Sequence, residues 1–167
     1  MIDTIRLLLF PALMAFAASS DLFSMTISNK VSLALVGGFF ILAVATGMSP
    51  ADMASHAAAG LVVLVAAFAF FARGWVGGGD AKLAAATSLW FGFDKLLPYL
   101  LDAALLGGAL TLLVVNFRHV PLPKAVGQWA WLERLHRKDE GVPYGIALAA
   151  AALLVYPDTP WMKALGS

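Results

Sequence analysis

Two aspartates in an otherwise apolar chain are placed where they could do chemistry. Asp80 lies in Gly77-Gly78-Gly79-Asp80-Ala81-Lys82, straight after three glycines and straight before an apolar helix. Asp21 follows the first apolar segment, in Asp21-Leu22-Phe23-Ser24-Met25-Thr26-Ile27-Ser28-Asn29-Lys30. A pair of carboxylates can activate water against a carbonyl when one is ionised and takes the water's proton while the other, protonated, donates to the oxygen or leaving group. At a separation of about 5 Å and an effective dielectric near 20, two full charges repel by about 3 kcal/mol, which favours sharing one proton. Asp80 stands at the positive end of a helix and Asp21 near a negative end, so Asp80 is expected to be the base and Asp21 the acid. Read singly, each has a plain structural explanation. Asp80 would be a helix N-cap worth about 1 kcal/mol, and Asp21 a helix-end residue in an interfacial loop.

The glycines allow positive backbone angles and close approach by another chain. A substrate backbone could lie against Gly77, Gly78 and Gly79 as an added strand, and a flexible loop there could carry Asp80 towards Asp21. Lys82 either orients a carboxylate or reaches to the headgroups, and Asn29 is either a turn former or a polar group of the site. Asp139 and Glu140 lie in a basic stretch and read as solvated. Asp94, Asp102 and Asp158 fall on or near the opposite face and are left out of the pair.

The elements that must hold these residues belong to a membrane protein. Of the 167 residues 61% are hydrophobic and only 13% charged, against about 25% charged in soluble domains. The apolar runs are long, strand signals are absent, and no repeat or linker interrupts the chain. The expected fold is all-α: a single domain over residues 1–167, an integral membrane bundle of six transmembrane helices with a short amphipathic helix at the cytoplasmic face. The spans are expected at 4–20, 31–47, 50–72, from after Asp80 to about Lys95, 98–117 and 142–156. Ala15-Phe16-Ala17 also resembles a signal-peptide cleavage pattern, but Asp3 offsets Arg6, so the start is not basic. Ser49 caps the third helix, Pro50 fits its first turn and Asp52 favours the dipole. Pro98 opens the fifth. Residues 123–138 carry Ala125, Trp129, Leu132 and Leu135 at helical spacing, with Arg134, Arg137 and Lys138 able to point elsewhere, as in a helix lying flat on the membrane.

With six spans, Lys30, Arg73, Lys82, Arg118, Lys124, Arg134, Arg137 and Lys138 share one side, and Arg6, Lys95 and Lys163 the other. Positive loops stay cytoplasmic, so both termini are expected outside, with Asp21 and Asp80 together at the cytoplasmic face. Net charge is +1, which implies no nucleic-acid partner, and there is no cysteine. Disulfides, thiolate catalysis and Cys-ligated metals are thereby excluded. His56, His119 and His136 lie in different segments, so no metal site is expected.

Gly77-Gly78-Gly79-Asp80 matches the GxGD signature of intramembrane aspartyl proteases. Its continuation through Lys82 and Leu83 into an Ala-rich helix resembles the type IV prepilin peptidases. In that family the first catalytic aspartate follows the first apolar helix and precedes an Ile-Pro-Asn element; here Asp21 precedes Ile27-Ser28-Asn29. Ser28 in place of Pro is a departure that bears on the loop after Asp21, not on the carboxylates. Pro143-Tyr144-Gly145-Ile146-Ala147 is similar to the short members that serve Flp or Tad pili. The resemblance covers essentially the whole chain. It implies an aspartic endopeptidase of the cytoplasmic membrane that removes a basic leader from a prepilin, leaving its apolar helix for pilus assembly. Asp21 and Asp80 would be catalytic. Larger relatives also N-methylate the product through a cytoplasmic domain with paired cysteines, so cleavage without methylation is expected, with no cofactor. Membrane lipid is the other expected partner. Two other classes fit the residues less well: a small ion- or proton-coupled transporter or channel subunit, because intramembrane carboxylates often carry ions, and a noncatalytic assembly partner docking through residues 123–138.

Overall fold

The computed structural model describes residues 2–121 and 129–163. It is helical, with no strand among the described residues. In chain order the elements are α1 (Ile2–Ser24), α2 (Asn29–Ala45), α3 (Pro50–Ala72), α4 (Gly78–Phe117), α5 (Ala130–His136), α6 (Gly145–Val155) continued by a 3₁₀ turn (Tyr156–Asp158), and α7 (Pro160–Lys163). Three of these, α1, α3 and α4, are long and apolar enough to cross a membrane, and α2 and the stretch Gly145–Asp158 are shorter apolar helices. Their outward faces carry Leu33, Ile41, Val65, Phe68, Leu105 and Leu113 exposed. So large an apolar surface is stable against lipid, not water.

Local chemistry sets several boundaries as expected. The Ser49 side chain accepts from the Asp52 amide at 3.1 Å, and Pro50 takes the first turn of α3. Ser28 caps α2 in the same way, accepting from the Lys30 amide at 3.3 Å, with φ −63. That φ is one proline also adopts.

The fourth and fifth helices depart from expectation. They form one element, and its break lies at Gly92 (φ 60, ψ −172), not between Lys95 and Pro98; Pro98 sits inside the helix. A left-handed φ is open to glycine and costly for other residues. The chain doubles back there. Phe91 packs on Tyr99 with ring centroids 5.0 Å apart, and Ala84 and Leu100 border the same cavity. The arms 78–91 and 93–117 therefore lie against one another, antiparallel. Breaking a helix frees its last carbonyls, and distant side chains take them here. His56 Nδ1 lies 2.8 Å from the Leu89 carbonyl, and Trp161 Nε1 donates to that of Trp90 at 2.8 Å. Around this turn Phe10, Phe39, Trp90, Tyr156 and Trp161 build an aromatic core.

The other end of the bundle gathers the close of α1, the start of α2, the close of α3, both ends of α4 and the start of α6. Ala-rich α6 is the most enclosed helix, packed between α1 and α4. The amphipathic helix expected over 123–138 is seen only as α5, seven residues long; residues 122–128, with Ala125 and Lys124, lie outside the described residues. It docks on the bundle end. Trp131 packs on Phe23, Arg134 donates to the Phe23 carbonyl, and Arg118 donates to the carbonyls of Leu135 and Gly141.

Candidate active site

Asp21 belongs to the last turn of α1, because the helix runs past the expected end near Ser20 to Ser24. It is 5% exposed. Beyond it Met25 adopts φ 53 and its amide closes on the Asp21 carbonyl at 2.8 Å, turning the chain out of the helix. The Ser20 hydroxyl then donates to the Thr26 carbonyl at 2.8 Å, which fixes the exit. The turn drives Ile27 between two helix starts. A Cβ built on Gly79 would stand 3.2 Å from the Ile27 Cβ, and one built on Gly145 would stand 2.6 Å from the Ile27 Cδ1. Glycine at 79 and 145 is what allows α4 and α6 to close around this loop.

The Asp21 carboxylate has a specific partner. The Gly145 amide donates to its Oδ2 at 2.7 Å. The first amides of a helix have no partner within it and carry its positive end. Asp21 therefore caps the start of α6 from a distance in sequence of 124 residues.

Asp80 is the third residue of α4, not its N-cap; that position is Gly77. Its carboxylate folds back over the cap, with Oδ2 2.9 Å from where a Gly77 Cβ would stand. Gly78 lies against the Phe71 ring, 3.2 Å from its would-be Cβ. The expectation that these glycines use positive angles in a flexible, strand-accepting loop is corrected: Gly78 and Gly79 are helical, and none of the three has positive φ. They serve close approach. The left-handed turn lies upstream, at Gly74 (φ 73).

Asp21 and Asp80 line one cavity of about 970 Å³. Its walls are largely apolar, from Val63, Ala67, Leu96, Leu100 and Leu148. The lining also includes the two aspartates, Tyr144, Thr111 and Glu140. The Tyr144 hydroxyl donates to the Ala103 carbonyl at 3.2 Å, and its ring fills the space beside Gly107. Two carboxylates, one steadied by a backbone amide, thus border a space large enough for water and an extended peptide segment.

Lys82 and Asn29 are not brought into this cavity. Lys82 Nζ donates to Asn29 Oδ1 at 2.9 Å, tying the start of α2 to the start of α4 on another face. Three residues at the site carry no site role by sequence: Tyr144 and Glu140, which line the cavity, and Gly145, whose amide holds Asp21. Gly145 and Tyr144 belong to the Pro143-Tyr144-Gly145 element, where a glycine opening a helix was the available signal. Glu140, expected to be solvated, borders the cavity and is only 3.9 Å from Arg137, whose better contact is with Asp139. Among the described residues no three His, Asp or Glu side chains are gathered to hold a metal ion.

The model of the type IV leader peptidase family matches residues 8–112, more than half of the chain. The chain belongs to this family. The matched span runs from α1 into the second arm of α4 and includes Asp21, Asn29, Gly77, Gly78, Gly79, Asp80 and Lys82. Gly145 and α6 lie beyond it. No curated protein and no solved structure matches the chain significantly. Membership indicates a peptidase and implies a prepilin as its substrate; with the apolar helices it makes this a membrane protein.

Proposed function

We propose that this chain is an aspartic endopeptidase of the cytoplasmic membrane, a single transmembrane domain over residues 1–167 that removes the leader from Flp- or Tad-type prepilins. The observation that carries the reading is the joint opening of Asp21 and Asp80 into one cavity, with Asp21 held by the Gly145 amide. The reversal at Gly92 supports six crossings, because the arms 78–91 and 93–117 become separate antiparallel segments of about 21 and 37 Å. The cationic loops cluster at the carboxylate end, which supports a site facing the cytoplasm with both termini outside.

The hydrogen bonding favours a division of labour opposite to the expected one. An oxygen that accepts an N–H carries no proton itself, and Asp21 Oδ2 has both that donor and the positive start of α6. That donor favours the ionised form of Asp21, and we assign Asp21 as the base and Asp80 as the proton donor. A water between them loses a proton to Asp21 as its oxygen attacks the scissile carbonyl. Asp80 donates to the carbonyl oxygen; the proton on Asp21 then passes to the leaving nitrogen as the C–N bond breaks, and Asp80 takes back a hydroxyl proton as the carbonyl re-forms. Infrared titration of Asp21→Asn and Asp80→Asn tests the order; a proton residing mainly on Asp21 would reverse it again.

The reaction itself is tested with the full chain in liposomes and a Flp-type prepilin carrying its basic leader and apolar helix. Mass spectrometry is expected to find the leader released by a single cut. An uncut prepilin together with ion flux across the liposomes would favour the transporter reading instead.

A further inference from the structure

α2 and α3 are neighbours in sequence, joined by a short turn at 46–49, yet each packs on α4 and hardly on the other. The gap between them is a slot of about 510 Å³. Its floor is deep because Gly60, Ala85 and Ala86 are small, and its sides include Val36, Phe40 and Leu61. Only Lys82, Asn29 and Ser32 are polar in the lining, and all three stand at one end. That end is the carboxylate end of the bundle, although the slot opens on a different face of α4.

Its dimensions decide between occupants. From Asn29 to Phe40 along α2 the slot is about 16 Å deep, about half of a hydrocarbon core of about 30 Å. It therefore matches one leaflet. A partner helix that spans the bilayer would run well past the inner end of so short a slot. A single extended acyl chain fits the shape.

Charge at the mouth selects the headgroup. Lys82 is exposed in a run from Ala81 to Gly92 that is otherwise buried. One of its donors is used by Asn29, an ammonium has three, and no carboxylate lies within salt-bridge distance among the described residues. Lys30, next to Asn29 in the chain, is also exposed at the start of α2. We propose that this slot holds one acyl chain of an anionic phospholipid whose phosphate is bound by Lys82. The site rests on the membrane reading and not on the peptidase reading. By seating a lipid on Lys82 it would steady the first turn of α4, where Asp80 lies.

The full chain is reconstituted in nanodiscs of equal phosphatidylglycerol and phosphatidylcholine with matched acyl chains, released into mild detergent and weighed by native mass spectrometry. One retained phosphatidylglycerol per chain is expected, in severalfold preference to phosphatidylcholine. Lys82→Gln should abolish the preference and Lys82→Arg keep it. Val36→Trp, which fills the slot, should lose the lipid of either headgroup; Leu61→Trp gives the same reading from the other wall. A phosphatidylglycerol with a photoreactive acyl chain should label Phe40 or Leu61. No selective retention, an undiminished preference for phosphatidylglycerol in Lys82→Gln, or labelling confined to other faces would overturn the site. Each readout is independent of prepilin cleavage, so an inactive protein that retains the lipid would sink the peptidase reading and leave this one standing.

Discussion

Replacing Gly145 by alanine adds one methyl group at the point where α6 meets Asp21. The new Cβ would stand 2.8 Å from Asp21 Oδ2, 3.1 Å from its Cγ and 2.6 Å from the Ile27 Cδ1. Ordinary contacts of this kind need a separation of about 3.5 Å or more, so the carboxylate or the start of α6 must move by most of an ångström. The 2.7 Å bond from the Gly145 amide is then stretched or lost. A hydrogen bond to a charged group is worth about 1.5–3 kcal/mol, which converts to about 10- to 100-fold in rate if the bond serves the transition state. A misplacement of about 1 Å gives a similar figure, about 100-fold. Alanine is otherwise favoured over glycine in a helix by about 1 kcal/mol, so without the collision the variant would be neutral or more stable. The assay is the initial rate of leader removal in liposomes, with a thermal melt to establish folding. Gly108→Ala is the control, since nothing lies within 4 Å of its new methyl. A folded Gly145→Ala protein cleaving within about twofold of the parent would refute the idea that this amide positions Asp21.

Other consequences follow from the same geometry. The chain has no cysteine, so the double variant Asp21→Cys, Asp80→Cys can be probed with a short bis-thiol reagent without background; cross-linking is expected there and not for Asp21→Cys with Asp94→Cys, at the other end of the bundle. Gly77→Ala would place a methyl 2.9 Å from Asp80 Oδ2, and its cleavage rate should fall by about tenfold or more in a protein that still melts cooperatively. Gly92→Ala forces a side chain onto φ 60 and against the His56 ring, 2.9 Å away, so chemical or thermal unfolding should show a loss of about 1–3 kcal/mol. An unchanged melting curve would mean that the turn of α4 relaxes freely.

What could be read from the chain in advance was what local chemistry controls. Ser49 and Pro50 announce the start of α3 because a cap and a proline act within one turn. Asp21 and Asp80 stand out because a carboxylate bordering an apolar run is costly wherever it goes. The break in α4 was misplaced for the opposite reason. Lys95 and Pro98 look like a boundary, whereas Gly92 sits between two phenylalanines and is held by His56 and Trp161, which lie far away in sequence. The three glycines suggested a loop, but the helix begins among them because Phe71 and Ile27 press on it. Gly145 escaped notice as a site residue since its partner is on α1, and Glu140 since a residue in a charged stretch gives no sign that the chain folds it over a cavity.

The central claim is that Asp21 and Asp80 act as one unit on the scissile bond, and the rates of leader removal by Asp21→Asn, Asp80→Asn and the double variant test it most directly. Each single variant should fall by about 100- to 10,000-fold or more, and the double variant should be little worse than either, as for residues that share one step. Retained cleavage in either single variant, or losses that multiply in the double variant, would contradict it.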